Sequence, residues 1–210
     1  MSDRYKLCKL TKTDKPLFIT LMSKAFARDP LFQHAFGDPE TDFKARDRIT
    51  AFLSFMFDKS LTLNEEIWGY FENESLKGAY AAERPQAGRI RYWEGVRLIW
   101  RLIPLCLRLP GKTLIFLNDY MRVTRNAAPS LPHHYLIMIG VDPNAQGRGI
   151  GKALLTHLFC LAESDHRSQG IALDTENEEN VVLYRRFGFT LNRETEIGSL
   201  PVYCLFYRKK

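Results

Sequence analysis

The chain reads as one mixed α/β domain, and three observations predict it. Short apolar runs with strand character alternate with stretches of helical spacing along all 210 residues. No internal repeat, low-complexity linker or other boundary interrupts that alternation. Hydrophobic residues make up 45% and charged residues 26% of the chain, the balance of a protein that buries a core.

The elements follow in order. Residues 4–11 read as a first strand. Thr13 and Asp14 look like a helix start with Pro16 in the first turn, and Leu17, Leu21, Met22, Ala25 and Phe26 keep helical spacing. Asp29-Pro30 ends that helix, because the residue before a proline is pushed away from helical angles. Phe43 to Phe57 reads as a second helix. Ile67–Phe71 and Leu76–Ala82 read as strands joined by a turn at Asn73. Arg89 to Leu109 reads as a helix kinked near Pro104, and Gly111 to Val123 as another. His134 to Val141 is an apolar run between Pro132 and Pro143, which suits a buried strand. Gly149 to Glu163 is the clearest helix. Ile171 to Asp174 is a short buried strand, and Glu178 to Phe187 a helix that Gly188 ends. Phe189–Leu191 and Val202–Tyr207 close the domain as strands.

Composition narrows the function classes. The formal net charge is +6, yet no block of five or six consecutive Lys or Arg exists, so a nucleic-acid partner is not expected. The four cysteines are scattered and form no C-x-x-C pair, which argues against a metal site and for reduced thiols in the cytoplasm. The N-terminus lacks an apolar signal core. Val96–Leu109, the most apolar stretch, is broken by Arg97, Arg101, Pro104 and Arg108 and falls short of the ~20 apolar residues of a membrane span. A monomer or homodimer without stable membrane insertion is expected.

The segment that carries chemistry is Ile137 to Ala153. A buried strand ends at Val141, a turn follows at Asp142-Pro143-Asn144, and Gln146, Gly147, Arg148, Gly149, Ile150 and Gly151 lead into a helix. Backbone N–H groups in a first helical turn have no intrahelical partner, and the helix dipole adds positive potential there. Glycines let an anion approach that backbone closely, and Arg148 and Lys152 add charge at the rim. The pattern is neither a P-loop nor a dinucleotide fingerprint. A glycine-rich turn used only for packing is the alternative reading of this segment by itself.

A second segment, N-E-E-N-V-V-L-Y-R-R-F-G-F from Asn177 to Phe189, changes the balance. Together the two resemble the GCN5-related N-acetyltransferase (GNAT) superfamily. Gln146, Gly149 and Gly151 match its Q/R-x-x-G-x-G/A phosphate loop. Asn177, Leu183, Tyr184, Gly188 and Phe189 match its N-x-x-A-x-x-L-Y-x-x-x-G-F helix, with Asn180 where alanine is usual. The matches cover about residues 134–190. A weaker resemblance, carried by I-G-V-D-P, L-D-T, a helical insertion and a C-terminal hairpin, is to the puromycin N-acetyltransferase-like branch.

The resemblance implies a central, mostly antiparallel twisted sheet, flanked by helices and splayed at the cofactor strand, with a helical insertion before that strand. Residues 1–130 would form the acceptor side and insertion, 131–190 the acetyl-coenzyme A core and 191–210 the closing strands. The implied reaction is transfer of acetyl from acetyl-coenzyme A to a primary amine of a small molecule. A protein or peptide amine, or a sensor that binds acyl-coenzyme A without turnover, are the alternatives.

Ile139, Gly140 and Val141 would bind the cofactor arm, with one backbone N–H facing the thioester oxygen. Tyr184 would donate a proton to the leaving thiolate; otherwise it is a core aromatic. Asn177 would bond the arm, cap the helix at Glu178, or both. In the family's histone-modifying members a glutamate sits on the cofactor strand, and Tyr135 falls in that slot here, so the general base stays open among His134, Glu83 and water. Phe26, Phe32, Phe36, Trp93, Trp100 and Tyr120 are candidates for an aromatic acceptor site, against the alternative that they build core. Within the helical insertion over residues 89–126, the stretch Trp93–Leu109 mixes apolar residues with arginines and is expected to supply a lid rather than a dimer contact or a membrane-surface helix.

Overall fold

The computed structural model describes residues 5–85 and 92–209, and of residues 92–94 the backbone alone. The expectations for residue 4, for residues 89–91 and for the Trp93 side chain lie outside the described residues.

The strands are β1 (Tyr5–Lys9), β2 (Glu66–Glu72), β3 (Ser75–Glu83), β4 (His134–Val141), β5 (Gly170–Thr175), β6 (Thr190–Ile197) and β7 (Leu200–Arg208). They form one seven-stranded sheet in the order β1-β2-β3-β4-β5-β7-β6. Every neighbouring pair is antiparallel except β4 and β5. Helices α1 (Lys15–Ala25), α2 (Pro30–Phe36) and α3 (Phe43–Thr62) bury Phe18, Met22, Phe36, Leu53 and Phe57 with Ile67, Ala79, Ala81 and Met138 of the sheet. Helices α6 (Ile150–Ser164) and α7 (Glu178–Arg186) bury Leu154, Leu158 and Val181 with Tyr80, Leu136, Leu173 and Leu205 on the other side. Between β3 and β4 the chain forms α4 (Tyr92–Arg108) and α5 (Gly111–Ala127).

Local sequence explains most boundaries. Asn73 (φ 45°) and Glu74 (φ 66°) both take left-handed angles between Glu72 and Ser75, which face each other, so β2 and β3 join through a two-residue turn whose twist matches the strands. Pro30 both stops and starts a helix. Asp29 is the N-cap of α2, accepting a bond from the Phe32 N–H at 3.1 Å, and Pro30 fills the first position, where no N–H is needed. That short helix goes beyond the expectation, as does the run of α3 to Thr62. Pro104 lies inside α4, which continues to Arg108. β6 is longer than its apolar residues suggest, because T-L-N-R-E-T-E-I is a mostly exposed, charged edge strand with little alternation to read.

Gly170 is fixed by its neighbours. A Cβ there would stand 2.1 Å from the Tyr207 carbonyl oxygen on β7, a backbone atom that cannot swing away. Gly170→Ala should therefore cost about 1–3 kcal/mol by forcing β5 and β7 apart. Urea denaturation checks it, and an unchanged midpoint would show that the two strands have slack.

Candidate active site

The site begins with an extra residue. Ala82 faces Leu136 and Ala81 faces Met138, so Ile137 has no opposite number on β3 and β4 bulges there. A bulge bends and twists its strand. It also resets the alternation: Leu136 packs with the α6–α7 core, whereas Met138 packs with the α1–α3 core. β4 pairs with β5 only over His134–Leu136 and Ile171–Leu173. Beyond that point the two strands part, while β4 continues beside β3 to Val141. Two cavities occupy the opening.

The first, of about 430 Å³, runs along Ile139, Gly140 and Val141 to the turn before α6. Gly147 (φ 76°) and Gly149 (φ 81°) hold left-handed angles, and a Cβ on either would meet nothing within 4 Å. Gly149 is the N-cap of α6, and the helix's first bond runs from the Ala153 N–H to the Gly149 carbonyl at 2.9 Å. The N–H groups of residues 150–152 are thus outside the helix's own ladder, at the positive end of its dipole. Gln146, Gly147, Gly149, Ile150, Gly151 and Lys152 all line this cavity. Open space beside the glycines, free N–H groups and a nearby ammonium suit the phosphates of a coenzyme A molecule. Arg148 is engaged elsewhere, its guanidinium donating to Glu72 at 2.9 Å.

The second cavity, of about 210 Å³, lies between β4, β5, α2 and α5. It shares Phe26, Asp29, Ile139, Asn180 and Tyr184 with the first. Phe32, Phe52 and Leu117 supply apolar wall, and ionisable groups gather at the other side. The Tyr135 hydroxyl donates to one Asp174 oxygen, and the Tyr120 hydroxyl contacts both the other Asp174 oxygen and Glu176. Burial, reinforced by the Asp174 charge, lifts the Glu176 carboxyl to about 8. Burial likewise raises Asp29 to about 6 and pushes Asp174 up. Tyr184 is shifted above the usual phenol range by burial and by the negative charges of Asp174, Glu176 and Asp29, which keeps its proton in place.

The expected site residues sort themselves against this geometry. Ile139, Gly140, Val141, the loop residues and Tyr184 converge, with Tyr184 facing both cavities. Asn177 acts as the N-cap of α7, accepting from the Glu179 N–H at 2.8 Å, and lines neither cavity; Asn180, one turn on, lines both. His134 is not brought to the opening. It is buried with its Nδ1 3.1 Å from the Ser168 hydroxyl, because side chains alternate along β4 and Tyr135 takes the cavity side. Glu83 lines the second cavity but is held by Lys59 at 3.0 Å and Arg125 at 2.8 Å. Of the aromatic candidates Phe26, Phe32 and Tyr120 line the second cavity, Phe36 is core, and Trp100 is 70% exposed. The wall from the insertion is α5, through Leu117, Tyr120 and Arg125. α4 packs Leu105 and, one residue past its end, Leu109 into the core, and among its described residues none lines either cavity.

Asp29, Asp174, Glu176 and Asn180 were not singled out by sequence reasoning. Asp29 looked like part of a helix stop, and Asn180 like a departure from a motif. The one available signal was the pair of carboxylates in L-D-T-E-N at a strand end. Nothing local shows that Tyr120 and Tyr135 meet them.

Comparison with known proteins agrees with this architecture. Residues 115–191 match the family model for an acetyltransferase (GNAT) domain. A 5-NmdU N-acetyltransferase of Pseudomonas phage PaMx11 is 38% identical over 68 residues, covering 32% of this chain and 47% of that protein. The match therefore spans about half the length of the curated relative. Among solved structures, a protein of Corynebacterium glutamicum described as histone acetyltransferase HPA2 and related acetyltransferase superposes with a TM-score of 0.68 at 18% identity, covering 98% and 97% of the two chains. The PaiA N-acetyltransferase of Thermoplasma acidophilum, solved with coenzyme A, gives 0.59 at 12% identity over 98% and 99%. Over residues 115–191 the chain matches a GNAT acetyltransferase domain, and its whole fold is shared with solved acetyltransferases.

Proposed function

We propose that the protein is an N-acetyltransferase that moves an acetyl group from acetyl-coenzyme A to the primary amine of a small molecule. The observation that carries this reading is the shared wall. The cavity that ends in the glycine turn and the cavity that holds the carboxyls meet at Tyr184 and Ile139. A thioester held along β4 and an amine held among Asp29, Asp174 and Glu176 would be brought together there, which converts a bimolecular encounter into a positioned reaction.

The roles follow from place. The N–H groups ahead of α6 and Lys152 would seat the phosphates. The edge of β4 beyond Leu136, unpaired with β5, offers backbone groups to the cofactor arm and an N–H to the carbonyl oxygen as negative charge develops on it. Tyr184, kept protonated by its surroundings, would donate to the departing sulfur. A cavity of about 210 Å³ walled by phenylalanines favours a compact amine over a polypeptide segment.

Calorimetric titration with acetyl-coenzyme A, followed by a thiol-release assay over a panel of small amines and of peptides, tests the reading. Binding together with thiol release on small amines is the expected result. Binding without release on any amine would leave a sensor, and release only on peptides would move the acceptor class.

A further inference from the structure

The carboxyl cluster contains a proton count. Three oxygen–oxygen contacts link four groups: Glu176 to Tyr120, Tyr120 to Asp174, and Asp174 to Tyr135. Each contact needs one hydrogen between its oxygens. The two phenols supply two. The third must sit on a carboxyl, either Glu176 or Asp174. Arg125, whose guanidinium lies 3.5 Å over the Tyr135 ring, brings positive charge to bear on Asp174, so Asp174 is assigned as the ionised member, accepting on both oxygens, one from each tyrosine. Tyr120 has then spent its only hydrogen on Asp174 and can only accept from Glu176.

From this geometry, and on the reading of the protein as an amine acetyltransferase, we propose that Glu176 rests as a neutral carboxylic acid donating to Tyr120, and that in its ionised form it takes the proton from the incoming ammonium group. Glu176 lines the acceptor cavity directly, after β5, at the mouth of the splay and beside Tyr184. Asp174 is committed to two tyrosines, and Glu83 to Lys59 and Arg125. Glu176 meets the Tyr120 hydroxyl and its own backbone N–H, and no cation is among the groups that act on it.

Burial and the negative charges of Asp174 on β5 and Asp29 ahead of α2 raise the Glu176 carboxyl, the contact with Tyr120 of α5 and a bond from its own backbone lower it, and the balance places its loss of a proton near 8. Tyr184 of α7 and Cys204 of β7 feel its charge in turn, and Arg125 offsets part of the Asp174 charge. An arriving ammonium supplies the compensating positive charge, and the Glu176 proton leaves to water. The carboxylate then takes one proton from the ammonium. The nitrogen lone pair forms the N–C bond, the C–S bond breaks with its electron pair going to sulfur, and a second nitrogen proton reaches the sulfur through Tyr184. The third nitrogen hydrogen remains on the amide, and the proton on Glu176 returns to solvent.

Two measurements test this separately from the transfer reading. The first is folding stability against pH for wild type, Glu176→Gln and Glu176→Ala, without any ligand. A carboxyl whose folded value lies above its unfolded one loses stability as pH rises from the unfolded value through the folded one. The wild-type urea midpoint should fall relative to both variants between about pH 5 and 9 and level off above that. Parallel midpoints would overturn the neutral resting state. The second is acetyl transfer to phenethylamine and to spermidine at saturating acetyl-coenzyme A. Wild-type kcat should rise about tenfold per pH unit below 8 and flatten above it. Glu176→Gln should lose about 10²–10⁴-fold with acetyl-coenzyme A affinity retained, and its profile should lack that rise. An identical profile in the variant would overturn the role as base. A wild type that binds acetyl-coenzyme A but transfers to neither amine would sink the base role together with the transfer reading, while the stability comparison would still decide the resting proton.

Discussion

Gly149→Trp should abolish measurable acetyl-coenzyme A binding while leaving the protein folded. Gly149 sits at φ 81°, where an L side chain costs roughly 1–2 kcal/mol, a loss most domains survive. A Cβ built on it touches nothing within 4 Å, so a side chain leaves the backbone into open space. The space it enters is the cavity itself, beside the free N–H groups of residues 150–152. Hydrogen bonds to a charged phosphate contribute about 1.5–3 kcal/mol each, so displacing two of them weakens binding by roughly 10²–10⁴-fold. Calorimetry on wild type and variant, with a denaturation curve for each, separates the two effects. A folded variant that binds like wild type would remove the glycine turn from cofactor binding and leave it as packing.

The cofactor half of the site was legible in the sequence because its chemistry is local. A strand, a glycine turn and a helix start follow one another within Ile137–Ala153, and free N–H groups belong to any helix start. Tyr184 was legible through a motif, since helical spacing alone gives a core aromatic. The acceptor half was not. Asp29, Tyr120, Tyr135, Asp174 and Glu176 come from α2, α5, β4 and the end of β5, and only the folded sheet brings them together. His134 and Tyr135 show how narrow the margin is. They are adjacent on one strand, and alternation alone decides which faces the cavity. The bulge at Ile137 then changes the count for every residue after it, which no apolar pattern signals. The same limit applies to α4 and α5, two amphipathic helices of the insertion, of which one walls the cavity and the other packs on α3.

Tyr184→Phe carries the second large effect, and it falls on turnover rather than binding. The ring is buried against Phe189, with centroids 5.6 Å apart, and phenylalanine keeps that packing. Only the hydroxyl is lost. Burial, with the negative charges of Asp174, Glu176 and Asp29 behind it, holds its proton well above the ordinary phenol range, so at working pH the wild-type group is a donor and never an ionised base. A thiolate leaving without a donor must take its proton from water, and removing a positioned acid of this kind costs typically about 10²–10⁴-fold. The loss should appear equally in kcat and kcat/KM, because the bond to sulfur strengthens only as the C–S bond breaks. Acetyl-coenzyme A affinity should stay within about twofold, and the urea midpoint should move by less than that of Gly170→Ala. Steady-state kinetics on the amine found by thiol release measures the split. If the variant raises KM with kcat unchanged, Tyr184 orients the acceptor instead. If both constants match wild type, the sulfur is protonated by water and the shared wall at Tyr184 serves contact alone. A deficit in kcat at constant affinity, set beside the Glu176→Gln profile, would assign the two proton transfers of the reaction to two residues of one cavity: the ammonium proton to Glu176 just after β5, and the sulfur proton from Tyr184 on α7.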